Sequence, residues 1–433
     1  MKIRSIALMT AAGALIATGC ARRSGVETVV LENGLRVVIT NIPSPVAAAV
    51  VWMDYGERDG GPGVSRAVNR MLLGGTEIRN RNQIFREIES AGGWIGVETG
   101  LTGSIMVLQA PAEEFTACFA ILAECLSRST FDSTELAAAG GFEEGGAGFA
   151  KILRRKYRKD SAIRSVLFPD SPAGAAGAKK TRSVTADSVA AFAARHVRPE
   201  RMIVSIAGEC DCKAVLKTLN EAWRGRRAPE PFPAFESGAA APGPVPGTVR
   251  ASRSAGRNRR DSLVVALRTS VPYGPDFLVE YLAGLALSAK QDGLLARAAS
   301  GGAASAAGLE LDFYFQNEAD FGYWVASAVP SAGRGPEAKR RLEELLAEAQ
   351  TNGISEPVFT TARRRLESAF AIRSQYTLNH AYFGALAERL NLPYRSIFDI
   401  QKAAASVTHE QLNGRLGDIL PRMRVIISSG AGR

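Results

Sequence analysis

Hydrophobic and polar positions along this chain follow the two periods that distinguish strands from helices. Strand signals begin with ETVVLENGLRVVIT, where Asn33-Gly34 is typical of a hairpin turn, and continue in VAAAVVWMDYG. Apolar residues at helical spacing follow at 63–73, 82–91 and 111–127, and VETGLTGSIMVLQA between the last two predicts one further strand. This mixture predicts an α+β fold in which helices pack on one face of a mostly antiparallel sheet.

The second half of the chain repeats features of the first. The segments SVTADSV at 183–189 and SVTHEQL at 406–412 each carry a Thr N-cap and an acid in the first helical turn. An apolar strand follows each of them, RMIVSI and RMRVII. We therefore predict two homologous α/β-sandwich domains, at 26–227 and 259–431. The stretch 228–258 between them is rich in Pro, Gly and Ala and is interpreted as a linker.

The helical segment GVSRAVNRMLLGGT at 63–76 carries an unusual polar face. Arg66, Asn69 and Arg70 stand at positions i, i+3 and i+4, so their side chains project from the same side of the helix. Apolar residues occupy the opposite side at helical spacing. Two arginines and an amide therefore share one face of a helix whose other face is predicted to be buried.

The composition is that of an ordinary globular protein. The chain has 433 residues, of which 46% are hydrophobic and 22% charged, enough for two or three domains with cores. The net charge is +10, but the basic runs RRKYRK and RASRSAGRNRR have no interleaved aromatic pattern, which argues against a nucleic-acid partner. An acidic peptide or an anionic membrane surface would use this charge equally well.

Residues 1–20 have the pattern of an export signal. MKIR supplies positive charge, and SIALMTAAGALIAT supplies an apolar run that is short for a membrane span. The run ends in ATGC, which resembles a bacterial lipobox, so we predict a lipoprotein signal and a lipid anchor on Cys20. A plain secretory signal or a chance Cys is the alternative. Ala21, where an Asp would favour the inner membrane, favours an outer-membrane location that faces the periplasm.

Several of these motifs together resemble a known family. LENGLRVVIT, the strand ending in DYGER, GVSRAVNRMLLGGT, REIESAGGWIGVETGLTGSIMVL and SVTADSVAAFAARHVRPERMIVSIAGECD occur in this order. They resemble the pitrilysin or insulinase metallopeptidases, which include mitochondrial processing peptidase and its bacterial relatives. The resemblance covers nearly the whole mature chain. It implies the processing-peptidase-like metalloenzyme fold and the pairing of two such chains as a clamshell around a peptide chamber.

The family's zinc motif, H-x-x-E-H, falls on the unusual polar face. Its two His positions are Arg66 and Arg70, and its Glu position is Asn69. Arginine stays protonated and offers only donors, so it cannot bind a metal cation. An amide cannot take the proton of an attacking water, and without zinc nothing lowers the pKa of that water toward neutral pH. We therefore expect no bound zinc and no catalytic residues.

Three acids, Asp54, Glu57 and Asp59, lie just before this helix. We hypothesise that they form ion pairs with Arg66 or Arg70 and so replace the metal structurally. The physical reason is that a paired guanidinium group costs less free energy than a buried unpaired one.

The family's third zinc ligand is a Glu on another helix. By the resemblance it falls on one of the residues 145–147, which are Gly, Gly and Ala. Glu143 and Glu144 are close enough to be weak candidates for a ligand. The segment AAAGGFEEGGAGFA is nevertheless a poor helix former, because each Gly costs about 1 kcal/mol relative to Ala. A preserved ligand is therefore not expected.

A second family feature is an Arg and Tyr pair that holds the substrate backbone. The matching stretch is GLLARAASGGAASAAGLELDFYF, and the pair falls at about Ala299 and Ala306. Arg297 and Tyr314 are near but out of register. The three histidines, at 196, 380 and 409, are too dispersed for a local metal motif and are interpreted as structural.

These observations favour a non-catalytic protein with the family's fold, anchored by lipid to the cell envelope. It would hold or present peptides, or serve as a scaffold, beside a homologous chain that keeps H-x-x-E-H or as a homodimer. No cofactor and no nucleic acid are expected. One alternative is an active zinc metalloendopeptidase with atypical ligands, for which Glu143 and Glu144 are the candidates. Another is a self-associating structural envelope lipoprotein without a peptidase partner.

Overall fold

The chain folds as two halves, each built on one sheet. The computed structural model describes residues 25–60, 63–100, 102–132, 134–136, 163, 166–167, 184–226, 261–270, 276–300, 310–317, 322–331, 333–394 and 399–429. The first half contains β1 (Val26–Val30), β2 (Arg36–Thr40), β3 (Val46–Met53), α1 (Glu57–Gly60), α2 (Val64–Leu72), α3 (Arg81–Ser90), β4 (Trp94–Thr99), β5 (Ser104–Pro111), α4 (Phe115–Arg128), α5 (Ala186–His196), β6 (Met202–Ala207) and α6 (Cys212–Ala222).

The sheet of the first half has six strands in the order β1-β2-β6-β3-β5-β4. All neighbours are antiparallel except β2 and β6, which are parallel. The predicted hairpin between β1 and β2 is confirmed, and Gly34 has a φ of 83°, which glycine adopts without steric cost. The helices predicted at 63–73, 82–91 and 111–127 are confirmed as α2, α3 and α4.

One predicted strand is wrong. The segment VETGLTGSIMVLQA was expected to form a single strand, but it belongs to a hairpin made of β4 and β5. The chain reverses between Gly100 and Gly103, where the N–H of Gly100 donates to the carbonyl of Gly103 at 2.8 Å. The glycines interrupt the apolar run and permit a tight turn, so Thr99 and Ser104 become paired neighbours.

The second half repeats this design with a smaller sheet. It contains β7 (Asp261–Thr269), α7 (Phe277–Leu287), α8 (Leu294–Ala299), β8 (Leu311–Asn317), β9 (Gly322–Ala328), α9 (Gly335–Asn352), α10 (Glu356–Arg373), α11 (Thr377–Arg389), α12 (Ile400–Ser406), α13 (His409–Ile419) and β10 (Arg424–Ser429). Its described strands lie in the order β10-β7-β9-β8 and are all antiparallel, which matches β6-β3-β5-β4 of the first half.

The predicted repeat and α+β fold are confirmed by local structure. Thr185 and Thr408 both form capping boxes, at the start of α5 and α13. The linker predicted at 228–258 and the signal predicted at 1–20 lie outside the described residues, so the domain boundaries stay predictions. Within the described part of the chain, no helix combines the length and apolarity needed to cross a membrane.

The two halves exchange elements across their sheets. Helix α11 of the second half packs on β2, β3 and β6 of the first. In return Ile163, Val166 and Leu167, which precede α5 as α11 precedes α13, pack against Val264, Ala266, Tyr323 and Val325 of the second sheet. One continuous buried cluster therefore contains the α11 face of the first sheet and the core of the second half.

Close packing and ion pairs fix α11 against the first sheet. A Cβ on Gly384 would lie 2.4 Å from Oγ of Ser205, a fully buried residue of β6. At the end of the helix, Glu388 is 3.3 Å from Arg36, and Arg389 is 3.8 Å from Asp54. Glycine is therefore the residue that lets the helix backbone approach the strand.

Replacement of Gly384 tests this packing. Although alanine is the better helix former by about 1 kcal/mol, Gly384→Ala should lower the free energy of unfolding by about 1–3 kcal/mol because of the clash with Ser205. Urea unfolding would measure the change. Ser205→Ala in the same chain should recover the loss, since the Ser205 hydroxyl has no hydrogen-bond partner among the described residues.

Gly414 in α13 provides the matched control. Nothing lies within 4 Å of a Cβ built there, so Gly414→Ala should raise stability by up to about 1 kcal/mol. A Gly384→Ala chain as stable as the Gly414→Ala chain would contradict the close approach of α11.

Candidate functional site

Helix α2 carries the polar face identified in the sequence. It begins after Gly63, which has a φ of 101°, and its buried side includes Ala67, Val68, Met71 and Leu72. The helix contacts β4, α1 and α5, so it lies over the end of the sheet where β3 and β4 finish. This arrangement brings the side chains of α2 next to the β4–β5 hairpin and the segment after β3.

Asn69 lies at the centre of a buried hydrogen-bond network. Its Oδ1 accepts from the Tyr55 hydroxyl at 2.6 Å, and its Nδ2 donates to Oγ1 of Thr99 at 2.6 Å and to Oγ of Ser104 at 2.8 Å. The Ser104 hydroxyl donates in turn to the carbonyl of Tyr55 at 2.8 Å. Asn69 is 1% exposed. Both amide protons are therefore used, and the group is closed off from solvent.

All side chains in this network are neutral. Tyr55 is fully buried, and burial raises the pKa of its phenol, so the hydroxyl remains a donor. An amide and aliphatic hydroxyls do not titrate near neutral pH. The network joins the segment after β3, the β4–β5 hairpin and α2. It can hold these elements together, but it offers no group that could accept a proton from water.

Arg66 forms the ion pair that the sequence suggested. Its Nη2 donates to Oε1 of Glu57 at the start of α1. The Glu57 side chain is 5% exposed and the Arg66 side chain 46%, so the pair is buried on one side only. The hypothesis that an acid compensates an arginine on this face is confirmed for these two residues.

The other two acids have different partners. Asp54 is 3.4 Å from Arg201 and 3.8 Å from Arg389, and Asp59 accepts from the N–H of Gly56 at 2.8 Å. The hypothesis that Asp54 or Asp59 pairs with Arg66 is therefore wrong. The physical reason is that β3 ends beside Arg201 and the end of α11, both of which are distant in the sequence.

Arg70 is partly buried. Its charge is one of the factors that lower the pKa of Arg81, after the burial of Arg81 itself; Glu135 acts in the opposite direction. The polar face of α2 thus carries two guanidinium groups. One contacts Glu57, and the other lies near a second arginine.

Those of the remaining predicted residues that the structure describes do not converge on this face. Ala299 is buried at the end of α8, Arg297 is 4.0 Å from Glu348, and Tyr314 lies on β8. Cys20, Glu143, Glu144 and Ala306 lie outside the described residues. The Arg and Tyr that lie near the family positions are therefore not brought together by the fold.

The histidines have separate structural contacts. His196 ends α5 and stacks on Phe192, with ring centroids 4.1 Å apart. His380 is 2.7 Å from the Tyr394 hydroxyl, and His409 is 2.7 Å from Glu356. Among the described residues, no group of three or more His, Cys, Asp or Glu side chains is placed to hold a metal ion. The donor set on α2 does not fit zinc, because two of its three members are cations.

Comparison with known proteins agrees with this fold. Residues 36–142 match the model of the insulinase family, Peptidase family M16. An uncharacterized zinc protease of Mycobacterium leprae is 28% identical over 49% of this chain and 50% of its own length. Subunit 1 of the mitochondrial cytochrome b-c1 complex of Bos taurus is 21% identical over 45% of this chain and 42% of its own. The matches thus span about half the length of these curated relatives.

Solved structures cover more of the chain. An M16 peptidase inactive domain from Pseudomonas fluorescens superposes with a TM-score of 0.73 at 16% identity, covering 93% of this chain and 97% of that one. A protease from Helicobacter pylori gives 0.71 at 12% identity, covering 94% and 99%. The predicted resemblance to the insulinase family and its two-domain fold is confirmed.

The pair Glu57–Arg66 is expected to stabilise the fold. Arg66→Ala should lower the free energy of unfolding by about 1–2 kcal/mol, because Glu57 stays buried without this partner. The exposure of Arg66 keeps the effect below the roughly 3–5 kcal/mol of a fully buried pair. Urea unfolding of Arg66→Ala, Glu57→Gln and the double variant would give the coupling between the two side chains.

Arg341, which pairs with Glu344 at 3.0 Å, is the control because both side chains are more than half exposed. Arg341→Ala should change the stability by less than about 0.5 kcal/mol. Equal effects of Arg66→Ala and Arg341→Ala would show that the Glu57–Arg66 pair has no special role.

Proposed function

We propose that this chain is a non-catalytic member of the insulinase family that binds or presents peptides, or serves as a scaffold, beside an active zinc peptidase. The observation that carries the proposal is the set of contacts made by two of the three motif positions. Asn69, at the position of the catalytic Glu, is consumed by three hydrogen bonds to neutral hydroxyls, and Arg66, at a His position, is bound to Glu57. These contacts stabilise the helix and leave it no means of activating water.

The proteins that this chain resembles also support the proposal. One structural neighbour is described as an inactive M16 domain, and one curated relative is by name a subunit of a larger complex. The relatives described as zinc proteases support the alternative, an enzyme with atypical ligands, for which Glu143 and Glu144 are the candidates. The cationic donor set on α2 favours the first reading.

Zinc content separates these two readings. The full chain, purified without chelators, should contain far less than one zinc per chain by elemental analysis, because a guanidinium group repels a divalent cation. Arg66→His with Arg70→His restores two imidazoles at i and i+4, and this variant should retain more zinc than the native chain. About one tightly held zinc per native chain would contradict the proposal.

The envelope anchor and the pairing are part of the same proposal. The lipobox-like ATGC supports lipidation at Cys20, and acyl chains would hold the chain at a bilayer without a spanning helix. Labelled palmitate should therefore enter the native chain and not the Cys20→Ala variant. Capture of the full chain from the envelope should also recover a relative that carries H-x-x-E-H. Recovery of this chain alone would favour the self-associating alternative.

A further inference from the structure

His196 has a protonation state that follows from its contacts. Its Nδ1 lies 3.1 Å from Nη1 of Arg201. A guanidinium group can only donate hydrogen bonds, so Nδ1 must be the acceptor and carry no proton. The rings of Phe192 and Tyr55 pack on the imidazole, with centroids 4.1 and 6.0 Å away, and neither ring supplies a negative charge. The observed contact therefore requires a neutral imidazole.

Arg201 connects this imidazole to the interface between the two halves. Its Nη2 donates to the carbonyl of Asp54 at 3.1 Å and lies 3.4 Å from Oδ2 of the same residue. The other carboxylate oxygen of Asp54 is 3.8 Å from Nη2 of Arg389, a buried residue at the end of α11. His196, Arg201, Asp54 and Arg389 thus form one continuous polar chain from α5 to the second half.

The charged groups that face His196 shift its pKa in both directions. Burial is the main cause of a lowered pKa for His196, and the charge of Arg201 is the second. Arg195, on the same helix, lowers the pKa further, whereas Asp59 on α1 raises it. The balance favours the neutral ring in the folded protein, as the hydrogen bond from Arg201 also requires.

We infer that this polar chain is a pH-sensitive link between the two halves, closed when His196 is neutral and weakened when it is protonated. A proton on Nδ1 removes the acceptor and places a second cation beside the Arg201 guanidinium, so Arg201 must shift. Because the same guanidinium holds Asp54, the last turn of α11 loses part of its attachment to the first half.

The direction of the pH dependence follows from the same contacts. The imidazole binds a proton more weakly when the link is closed than when it is open. The open fraction therefore rises as the pH falls through the ordinary histidine pKa of about 6.5, and above that pH the link stays closed. One proton can change the ratio of open to closed forms by at most about tenfold per pH unit.

Hydrogen exchange of the full chain at about pH 7.5 and pH 5.5 tests the inference. After correction for intrinsic rates, the last turn of α11 should exchange several-fold faster at the lower pH. In His196→Gln, the side-chain carbonyl can still accept from Arg201 and cannot be protonated near neutral pH, so the difference should disappear. Asp54→Asn removes a central charge of the polar chain and should raise exchange at both pH values, with a smaller difference between them.

His380 is the matched control, because it lies on α11 itself and burial lowers its pKa too. His380→Gln should keep the native pH response. The inference is overturned if the native chain shows no response, if His196→Gln keeps it, or if His380→Gln abolishes it. None of these outcomes depends on whether the chain is a peptidase or a pseudoenzyme.

Discussion

The structure depends on the coverage of each sheet by an element of the other half. Antiparallel strands such as β3 are apolar on both faces: Ala49 and Val51 contact the helices of their own half, whereas Val50 and Trp52 lie in the cluster that includes α11. Without α11 this second face would be exposed to water, at a cost of about 25 cal/mol for each Å² of apolar surface. Each sheet therefore has one face that is buried only in the presence of the other half.

This constraint also bears on helix α2, whose polar face holds the positions that resemble the family's zinc motif. The apolar side of helix α2 packs in the core of the first half. The polar groups on its other side need hydrogen-bond or ion-pair partners where they are buried. Asn69 forms hydrogen bonds with three neutral hydroxyls, and Arg66 forms an ion pair with the Glu57 carboxylate. Both solutions stabilise the fold at positions where a working enzyme needs groups that are reactive and accessible. At these two positions the observed contacts of the side chains are structural.

Patterns among neighbouring residues predicted local structure, whereas contacts between residues distant in the sequence were mostly not predicted. Most of the strands, helix α2, the two capping signals of the repeat and the Glu57–Arg66 pair follow from residues near one another in the sequence, where periodicity and capping signals act. The network around Asn69 was not predicted, because Thr99 and Ser104 become neighbours only through the β4–β5 register. The partners of Asp54 were predicted wrongly for the same reason: Arg201 and Arg389 reach it only after both halves have packed.

Equivalent arginines in the two halves have different surroundings. Arg201 and Arg422 precede equivalent strands, and each donates to a backbone carbonyl at 3.1 Å, of Asp54 and of Arg268. Arg422 is held by the carboxylate of Glu280, which is 1% exposed and also accepts from the N–H of Ser270. Within the part of the chain that the structure describes, no imidazole contacts Arg422. In the first half the acid is the partly exposed Asp54, which also lies near Arg389 of α11. His196 Nδ1 accepts from Nη1 of Arg201, whereas Nη2 contacts Asp54. Arg422 is therefore held by a buried carboxylate, whereas the equivalent Arg201 lies between a titratable ring and the interface of the two halves.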